Sequence, residues 1–214
     1  MSADAATTAD SPRSDARRRA ILEVARDAFF AQGYAATSMS EIAARLGGSK
    51  GTLYNYFRSK EELFEAFITD FCQGPALAIF DAMPPVDADP DIRATLIRIG
   101  GGLLEFLLSE PMLQLHRLVV AEAGRFPELG RIFYEAGPKR GEVRFRTYFE
   151  QAIAAGLVRQ GDPFVMGQRL KDLVLSDVYL RRLWGVLPSI SAAQLRAHVE
   201  QSVDIFLRAF GPEA

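Results

Sequence analysis

Cysteine and long apolar runs are scarce in this 214-residue chain, and each scarcity excludes a class of protein. Its single cysteine, Cys72, rules out an internal disulfide framework. No apolar run reaches the ~18 residues that a membrane-spanning helix requires. The polar start MSADAATTADSPRSDARRR also lacks the apolar stretch of a secretory signal. These features predict a cytoplasmic protein with no membrane partner.

Groups suited to catalysis are also few. The two histidines, His116 and His198, lie far apart, and the chain contains no HExxH, paired-cysteine, nucleophile-elbow or dinucleotide motif. GGSKGT resembles a phosphate-binding loop only superficially, because its order is Lys-Gly-Thr rather than Gly-Lys-Ser/Thr and no strand precedes it. We therefore expect no enzyme, no cofactor and no metal site. A helical small-molecule carrier or interaction module without DNA binding is the alternative to a regulator.

The formal net charge of −2 hides an uneven distribution. Residues 11–60 hold nine basic and four acidic side chains, a net +5, so the rest of the chain carries −7. Such asymmetry predicts that this part of the chain meets a polyanion, although a chance fluctuation gives the same count. Steeply salt-dependent binding to duplex DNA distinguishes a regulator from a carrier.

Apolar residues recur at helical spacing throughout, and no period-two alternation of β-branched residues predicts a strand. Helix starts are indicated by three pairs that match the capping box, Ser38 with Glu41, Ser59 with Glu62, and Ser191 with Gln194. Asp-Pro pairs at 89–90 and 162–163 add two more. The sequence predicts an all-α protein with helices from about residue 14 to a stop at Gly33 and over 39–46, 50–57, 60–82, 90–109, 112–123, 128–136, 139–155, 163–184 and 191–210.

The segment GGSKGTLYNYFRSKEELF, residues 47–64, has the spacing of a helix-turn-helix. At 100° per residue, Leu53 and Phe57 face inward on the second helix. The outward face carries Gly51, Thr52, Tyr54 and Asn55, with Lys50 near the start, and threonine and asparagine reach base edges in the major groove. Tyr56 and Lys60 are suited to holding phosphates. A surface helix with two ordinary tyrosines is the alternative.

Residues 20–64, AILEVARDAFFAQGYAATSMSEIAARLGGSKGTLYNYFRSKEELF, resemble the tetracycline-repressor-like (TetR) family of bacterial transcription regulators. Gly48 departs from the pattern, since the family usually has a larger apolar residue there. The matching positions, which hold fixed spacing, are Phe29, Gly33, Tyr34, Thr37, Ser38, Ile42, Ala43, Gly47, Ser49, Gly51, Thr52, Leu53, Tyr54, Tyr56, Phe57, Lys60, Leu63 and Phe64.

Residues 1–12 are predicted to be a disordered tail. The resemblance implies an all-α homodimer with a three-helix helix-turn-helix DNA-binding domain over 13–60 and a larger helical ligand-sensing and dimerisation domain over 61–214. It implies that Thr37 and Ser38 meet phosphates and that Lys60 holds the DNA backbone. It puts six residues at the major groove: Lys50, Gly51, Thr52, Tyr54, Asn55 and Tyr56. The implied function is a ligand-responsive regulator, usually a repressor, that binds a palindromic operator and is released by a small effector.

The second half of the chain is less distinctive. Residues 116–140 and 154–163 resemble the C-terminal domain of AefR-like regulators. The last two predicted helices of this chain, 163–184 and 191–210, carry more large apolar residues than one apolar face packed within a single subunit needs. This predicts either a dimer contact or a fully buried helix pair. Gly100-Gly101-Gly102 interrupts a helix pattern and predicts a close helix crossing or, less favoured, space for a ligand.

A pocket for an apolar or aromatic effector is predicted among the helices of this second half. Four polar side chains are candidates for contacts there, although surface roles are favoured for each: His116, Arg117, Glu122 and Arg125. The predicted lining is Leu103, Leu104, Phe106, Leu107, Leu115, Leu118, Val119, Phe133, Phe149, Leu173 and Trp184.

Overall fold

The computed structural model describes residues 12–81, 86 and 91–212, and these residues contain helices and no strand. The all-α prediction is confirmed, and most predicted bounds agree with the observed ones to within two residues. The helices are α1 (Pro12–Ala36), α2 (Met39–Arg45), α3 (Lys50–Tyr56), α4 (Lys60–Asp81), α5 (Ile92–Leu108), α6 (Glu110–Glu122), α7 (Pro127–Ala136), α8 (Pro138–Ala154), α9 (Pro163–Leu183) and α10 (Ala192–Phe210).

Two expectations concern residues outside the described ranges. The predicted disordered tail lies there, apart from Pro12, which begins α1. The predicted helix start at Asp89-Pro90 also lies there, and α5 instead begins at Ile92 behind the N-cap Asp91, whose carboxylate accepts a hydrogen bond from the Ala94 N–H at 3.0 Å. None of the described helices is long and apolar enough to cross a membrane.

The chain forms two compact units, one ending at Phe67 and the other beginning at Ile68. The first unit is organised around a cluster of rings from α1 and α4. Phe29 and Tyr34 each make an edge contact with Phe64, with ring centroids 5.3 Å apart, and Phe67 packs against Phe29 at 6.1 Å. Edge and offset contacts of this kind add to the burial of apolar area, so the cluster fixes α4 against α1.

Gly33 interrupts α1 at the position where the sequence predicts a stop. Its backbone has φ 85° and ψ 166°, a conformation that residues with a Cβ rarely adopt, and helical geometry resumes only to Ala36. The chain therefore changes direction between α1 and α2.

The second unit has its main core where α5, α8, α9 and α10 meet. Large residues in this core include Leu104, Phe149, Leu170, Val174 and Phe206, all less than 2% exposed. Burial of large apolar side chains is the dominant favourable term in such a unit, at about 1.5–3 kcal/mol each.

Close packing explains the first of the three consecutive glycines. A Cβ built on Gly100 would lie 3.1 Å from a Val174 methyl on α9 and 3.2 Å from a Val199 methyl on α10. Around Gly101 the same construction finds open space, and at Gly102 it finds an ordinary contact with Ile79. The favoured prediction of a close helix crossing holds for Gly100, where the two valines take up the room that a side chain would need.

Candidate DNA-binding surface and ligand cavity

The turn between α2 and α3 is fixed by a pair of backbone hydrogen bonds. Gly47 has φ +62°, its N–H donates to Ala44 O at 3.1 Å, and the Gly48 N–H donates to Ala43 O at 3.2 Å. This is the Schellman ending, in which a left-handed glycine lets the chain satisfy the last carbonyls of a helix. The angle between α2 and α3 is thereby set by the backbone itself.

Helix α3 is seated by two buried residues and presents its other side outward. Leu53 and Phe57 are each 2% exposed, as predicted, although the helix ends at Tyr56 and Phe57 is its C-cap with extended backbone at φ −141° and ψ 119°. Ser49 caps the helix by accepting a hydrogen bond from the Thr52 N–H at 3.1 Å. Tyr56 is half-buried, whereas five of the predicted groove residues are exposed: Lys50, Gly51, Thr52, Tyr54 and Asn55.

The start of α2 differs from its sequence-based description. Ser38 is exposed, and its hydroxyl accepts a hydrogen bond from the Glu41 N–H at 3.2 Å. Thr37, expected to meet a phosphate, is 2% exposed and donates its hydroxyl to Gly33 O at 2.8 Å. The Gly33 carbonyl, at the break in α1, accepts the hydrogen bond from this hydroxyl, so the Thr37 side chain stabilises the corner between α1 and α2.

Lys60 also lies differently from the expectation. Its ammonium donates to Tyr34 O at 2.7 Å and to Thr37 O at 2.9 Å, and it lies 4.2 Å from the centroid of the Tyr34 ring. Carbonyls at a helix end have no intrahelical partner, and a cation is favoured beside them. The first residue of α4 therefore holds the α1–α2 corner, where the sequence predicts a contact with the DNA backbone.

Two basic side chains of α1 lie near the two ends of α3, a feature that the sequence did not predict. A Cβ on Gly48 would lie 2.9 Å from the Arg17 guanidinium, so that group occupies the space beside the turn. The Arg18 guanidinium lies 5.5 Å from the centroid of the Phe57 ring. Arg17 and Arg18 contribute to the net charge of +5 over residues 11–60, but only the fold shows that they lie beside α3.

A cavity of about 230 Å³ lies in the second unit. Six helices, α4 to α9, contribute to its walls, and most of the contributed groups are apolar. The lining residues are Cys72, Leu103, Phe106, Leu107, Met112, His116, Phe133, Gly137, Pro138, Gly141, Glu142, Phe145, Phe164, Gly167, Gln168, Lys171, Leu175 and Tyr179.

Four of the eleven predicted lining residues border this cavity, namely Leu103, Phe106, Leu107 and Phe133. The other seven do not border it. Leu104 and Phe149 belong to the main core and Leu173 packs against it, because neighbouring positions on a helix face different directions. Leu115, Leu118 and Val119 are buried elsewhere, and Trp184 is 67% exposed.

Polar groups at the cavity are few, and burial alters them. Burial raises the pKa of the Cys72 thiol to about 11 and that of the Tyr179 phenol to about 12, and it lowers the pKa of His116 to about 4. Each shift favours the uncharged form, as desolvation requires. Arg117, another candidate for a polar contact, instead donates to Leu183 O at 2.8 Å, and neither Glu122 nor Arg125 borders the cavity.

A helix-turn-helix with an exposed second helix, joined in one chain to a helical unit with an apolar cavity, defines a ligand-responsive transcriptional regulator. Two family descriptions match the chain: "Bacterial regulatory proteins, tetR family" over residues 21–67, and "AefR-like transcriptional repressor, C-terminal domain" over residues 94–212. The chain therefore belongs to the TetR family, with an AefR-like C-terminal domain.

Relatives extend this assignment over nearly the whole chain. A TetR-family regulator from Mesorhizobium loti is 31% identical, with a TM-score of 0.83, and covers 94% of this chain and 100% of its own. The structure titled "Flavonoid-responsive Regulator FrrA" has the same coverage, 29% identity and a TM-score of 0.80. The regulator YhgD of Bacillus subtilis, of uncharacterised role, is 28% identical over 69% of this chain and 74% of its own.

Proposed function

We propose that this protein is not an enzyme but a repressor that binds a palindromic operator as a homodimer and is released by a small apolar or aromatic effector. The observation that carries the proposal is the exposed face of α3, where Thr52, Tyr54 and Asn55 stand on a helix seated by Leu53 and Phe57. Such a face suits a major groove better than it suits a packed core. A regulator of this kind acts on the chromosome, so we infer that it works in the cytoplasm.

The proposed switch depends on the separation of two α3 helices. In a dimer they must lie ~34–36 Å apart to enter successive major grooves. Helix α4 begins at Lys60, directly after α3, and its Cys72 borders the cavity. An effector that favours a different position of α4 changes this separation, and DNA affinity falls by the ratio of the effector's affinities for the two states.

Exposed apolar side chains on the last two helices support the dimer. Leu180 on α9 is 42% exposed and Ile205 on α10 is 43% exposed, and Trp184 and Val186 just after α9 are 67% and 65% exposed. Exposed apolar surface of this extent on two adjacent elements is typical of an interface. We propose that these residues pair with their copies in a second subunit.

The chemistry of the effector is supported by the cavity and by one structural relative. An apolar lining of this size accepts a small molecule with aromatic or aliphatic bulk. The relative whose title calls it flavonoid-responsive shares 29% of the sequence over 94% of this chain. We therefore propose a planar aromatic compound as the first class of effector to test.

Tyr54→Ala tests the DNA-binding face. We expect affinity for a palindrome upstream of the gene to fall about 10- to 100-fold, the range for one lost base contact of about 1–3 kcal/mol. Titration of a fluorescent operator duplex measures the change. Tyr134→Ala is the matched control, because Tyr134 is 43% exposed against 40% for Tyr54 but lies in the second unit. Unchanged binding by Tyr54→Ala refutes the assignment of this face.

Leu180→Glu together with Ile205→Glu tests the dimer. Two buried, unpaired carboxylates in each subunit oppose association, so we expect a monomer at micromolar concentration by sedimentation velocity. Val143→Glu is the control, since Val143 is an apolar residue of α8 that is 50% exposed and lies outside the proposed interface. A double variant that sediments as a dimer contradicts the proposal.

A further inference from the structure

Charged groups are sparse on the cavity walls, and this restricts what the cavity can bind. Its only charged lining residues in the described part of the chain are Glu142 and Lys171. Glu142 already accepts a hydrogen bond from the Tyr134 hydroxyl at 3.0 Å. Lys171 lies eight residues before Tyr179 on α9, with the non-helical backbone of Ser176 (φ 39°, ψ −149°) between them, and the phenol is hydrogen-bonded to His116.

The uncharged polar groups on the walls are the Cys72 thiol, the Gln168 amide and a hydrogen-bonded pair formed by His116 of α6 and Tyr179 of α9. Nδ1 of the imidazole lies 2.6 Å from the phenol oxygen, and the ring centroids are 5.5 Å apart at nearly a right angle. The imidazole also makes an edge contact with Phe133 at 4.9 Å. Three helices thus hold the imidazole in place beside the cavity.

Both members of the pair are uncharged near neutral pH, because burial lowers the pKa of His116 to about 4 and raises that of Tyr179 to about 12. A neutral imidazole has one N–H and one lone pair. Since Nδ1 is engaged by Tyr179, the remaining ring nitrogen of His116, Nε2, has no hydrogen-bond partner among the described residues. It donates or accepts according to the tautomer that the phenol selects.

We propose that the cavity binds an uncharged aromatic molecule bearing a hydroxyl group, and that this hydroxyl forms a hydrogen bond with Nε2 of His116. The proposal rests on the proposed role of the cavity as the effector site and specifies its chemistry. A hydroxyl both donates and accepts, so it satisfies Nε2 in either tautomer. Arg117 is the cation whose charge acts on the Tyr179 phenol, but its guanidinium is held by Leu183 O, Arg182 O and Glu110 and does not border the cavity, so a carboxylate in the cavity gains no direct ion pair with it. An unsubstituted hydrocarbon leaves the nitrogen without a partner in an apolar site.

The matched probes 2-naphthol and naphthalene test this directly, because they differ only in the hydroxyl. We expect the wild-type protein, without DNA, to bind 2-naphthol about five- to tenfold more tightly than naphthalene by calorimetry, the effect of one net hydrogen bond. His116→Phe should abolish the preference and leave naphthalene affinity within about twofold. His116→Leu, a smaller replacement, serves if the phenylalanine prevents folding, and thermal unfolding reports which variant is folded.

Three outcomes overturn the proposal: equal affinity for the two probes, a preference that persists in a folded His116 variant, or binding of neither probe. The operator titration is separate, so the two proposals fail separately. A protein that prefers 2-naphthol but stays on DNA when saturated with it keeps the ligand site and loses its proposed regulatory use. A protein that binds DNA but shows no preference loses the ligand chemistry alone.

Discussion

In the first unit, five of the six exposed candidate residues lie within the seven residues of α3, whereas in the second unit the cavity is assembled from six helices between Cys72 and Tyr179. The short helix has one side seated by Leu53 and Phe57, so the direction of every other side chain follows from helical geometry. The cavity has no such rule, because its walls depend on how α4 to α9 pack. A surface on one helix is encoded locally, and a cavity is encoded by tertiary structure.

Lys60 gives the strongest test of this comparison, since it belongs to the locally encoded unit but its role depends on tertiary contacts. Lys60→Met removes two charge-assisted hydrogen bonds to helix-end carbonyls. We expect the first unit to lose about 2–4 kcal/mol of unfolding free energy, and operator affinity to fall at every salt concentration with an unchanged salt slope. Amide hydrogen exchange and titrations from low to high salt measure the two effects.

Lys50→Met is the matched control, because Lys50 is an exposed lysine at the start of α3. If its ammonium neutralises one phosphate, the slope of log K against log salt falls by about one, and stability is unaffected. If Lys60→Met instead reduces the slope of log K against log salt and leaves stability unchanged, Lys60 contacts a phosphate. Its role would then follow from local sequence and not from tertiary contacts.

The lesson for prediction from sequence follows from particular residues. Capping signals and apolar spacing predict the helices because they are local. The inward direction of Leu53 follows from spacing alone, whereas Phe57 lies beyond the helix end in extended backbone. The hydrogen bonds of Lys60 could not be predicted, because its partners are the backbone carbonyls of Tyr34 and Thr37, which no side-chain pattern encodes.

At the cavity, Leu103, Phe106 and Leu107 were found because they form one face of α5 in an apolar run. Leu104, one position away, was included wrongly in that face, since apolar composition does not show which side of a helix meets the core. Cys72 and Tyr179 carry no sequence signal for a pocket. Only the packing of α4 and α9 around the same space brings them together.

Adjacent glycines sharpen the comparison inside the second unit. Gly100→Ala forces a methyl group to within 3.1–3.2 Å of Val174 and Val199, so we expect a loss of about 1–2 kcal/mol of unfolding free energy. Gly101→Ala meets no atom within 4 Å and should instead stabilise the helix by up to about 1 kcal/mol. Denaturant titration of both variants measures the difference. Equal effects would mean that helix propensity, and not tertiary packing, governs this segment.

The smallest expected difference between the two units is in how much unfolding free energy each loses as the pH falls. Both histidines lie in the second unit, and burial lowers the pKa of His116 from an ordinary 6.5 to about 4. Between these values the unfolded chain binds a proton that the folded chain does not, so stability is lost as the pH falls from 6.5 towards 4. We expect a loss of about 1 kcal/mol between pH 7 and pH 5, less than full burial would give because the imidazole is only partly withdrawn from solvent.

Denaturant titration followed by the fluorescence of Trp184, the chain's one tryptophan, reports on the second unit. His116→Phe should lose most of this pH dependence, because the lowered pKa of the carboxylates Glu41 and Asp204 confines their contributions to below about pH 4.5. The first unit has no histidine, so its amide exchange should show no matching loss of protection above pH 5. A loss of stability of equal size in both units between pH 7 and pH 5 would mean that protonation of the buried His116 imidazole is not its source.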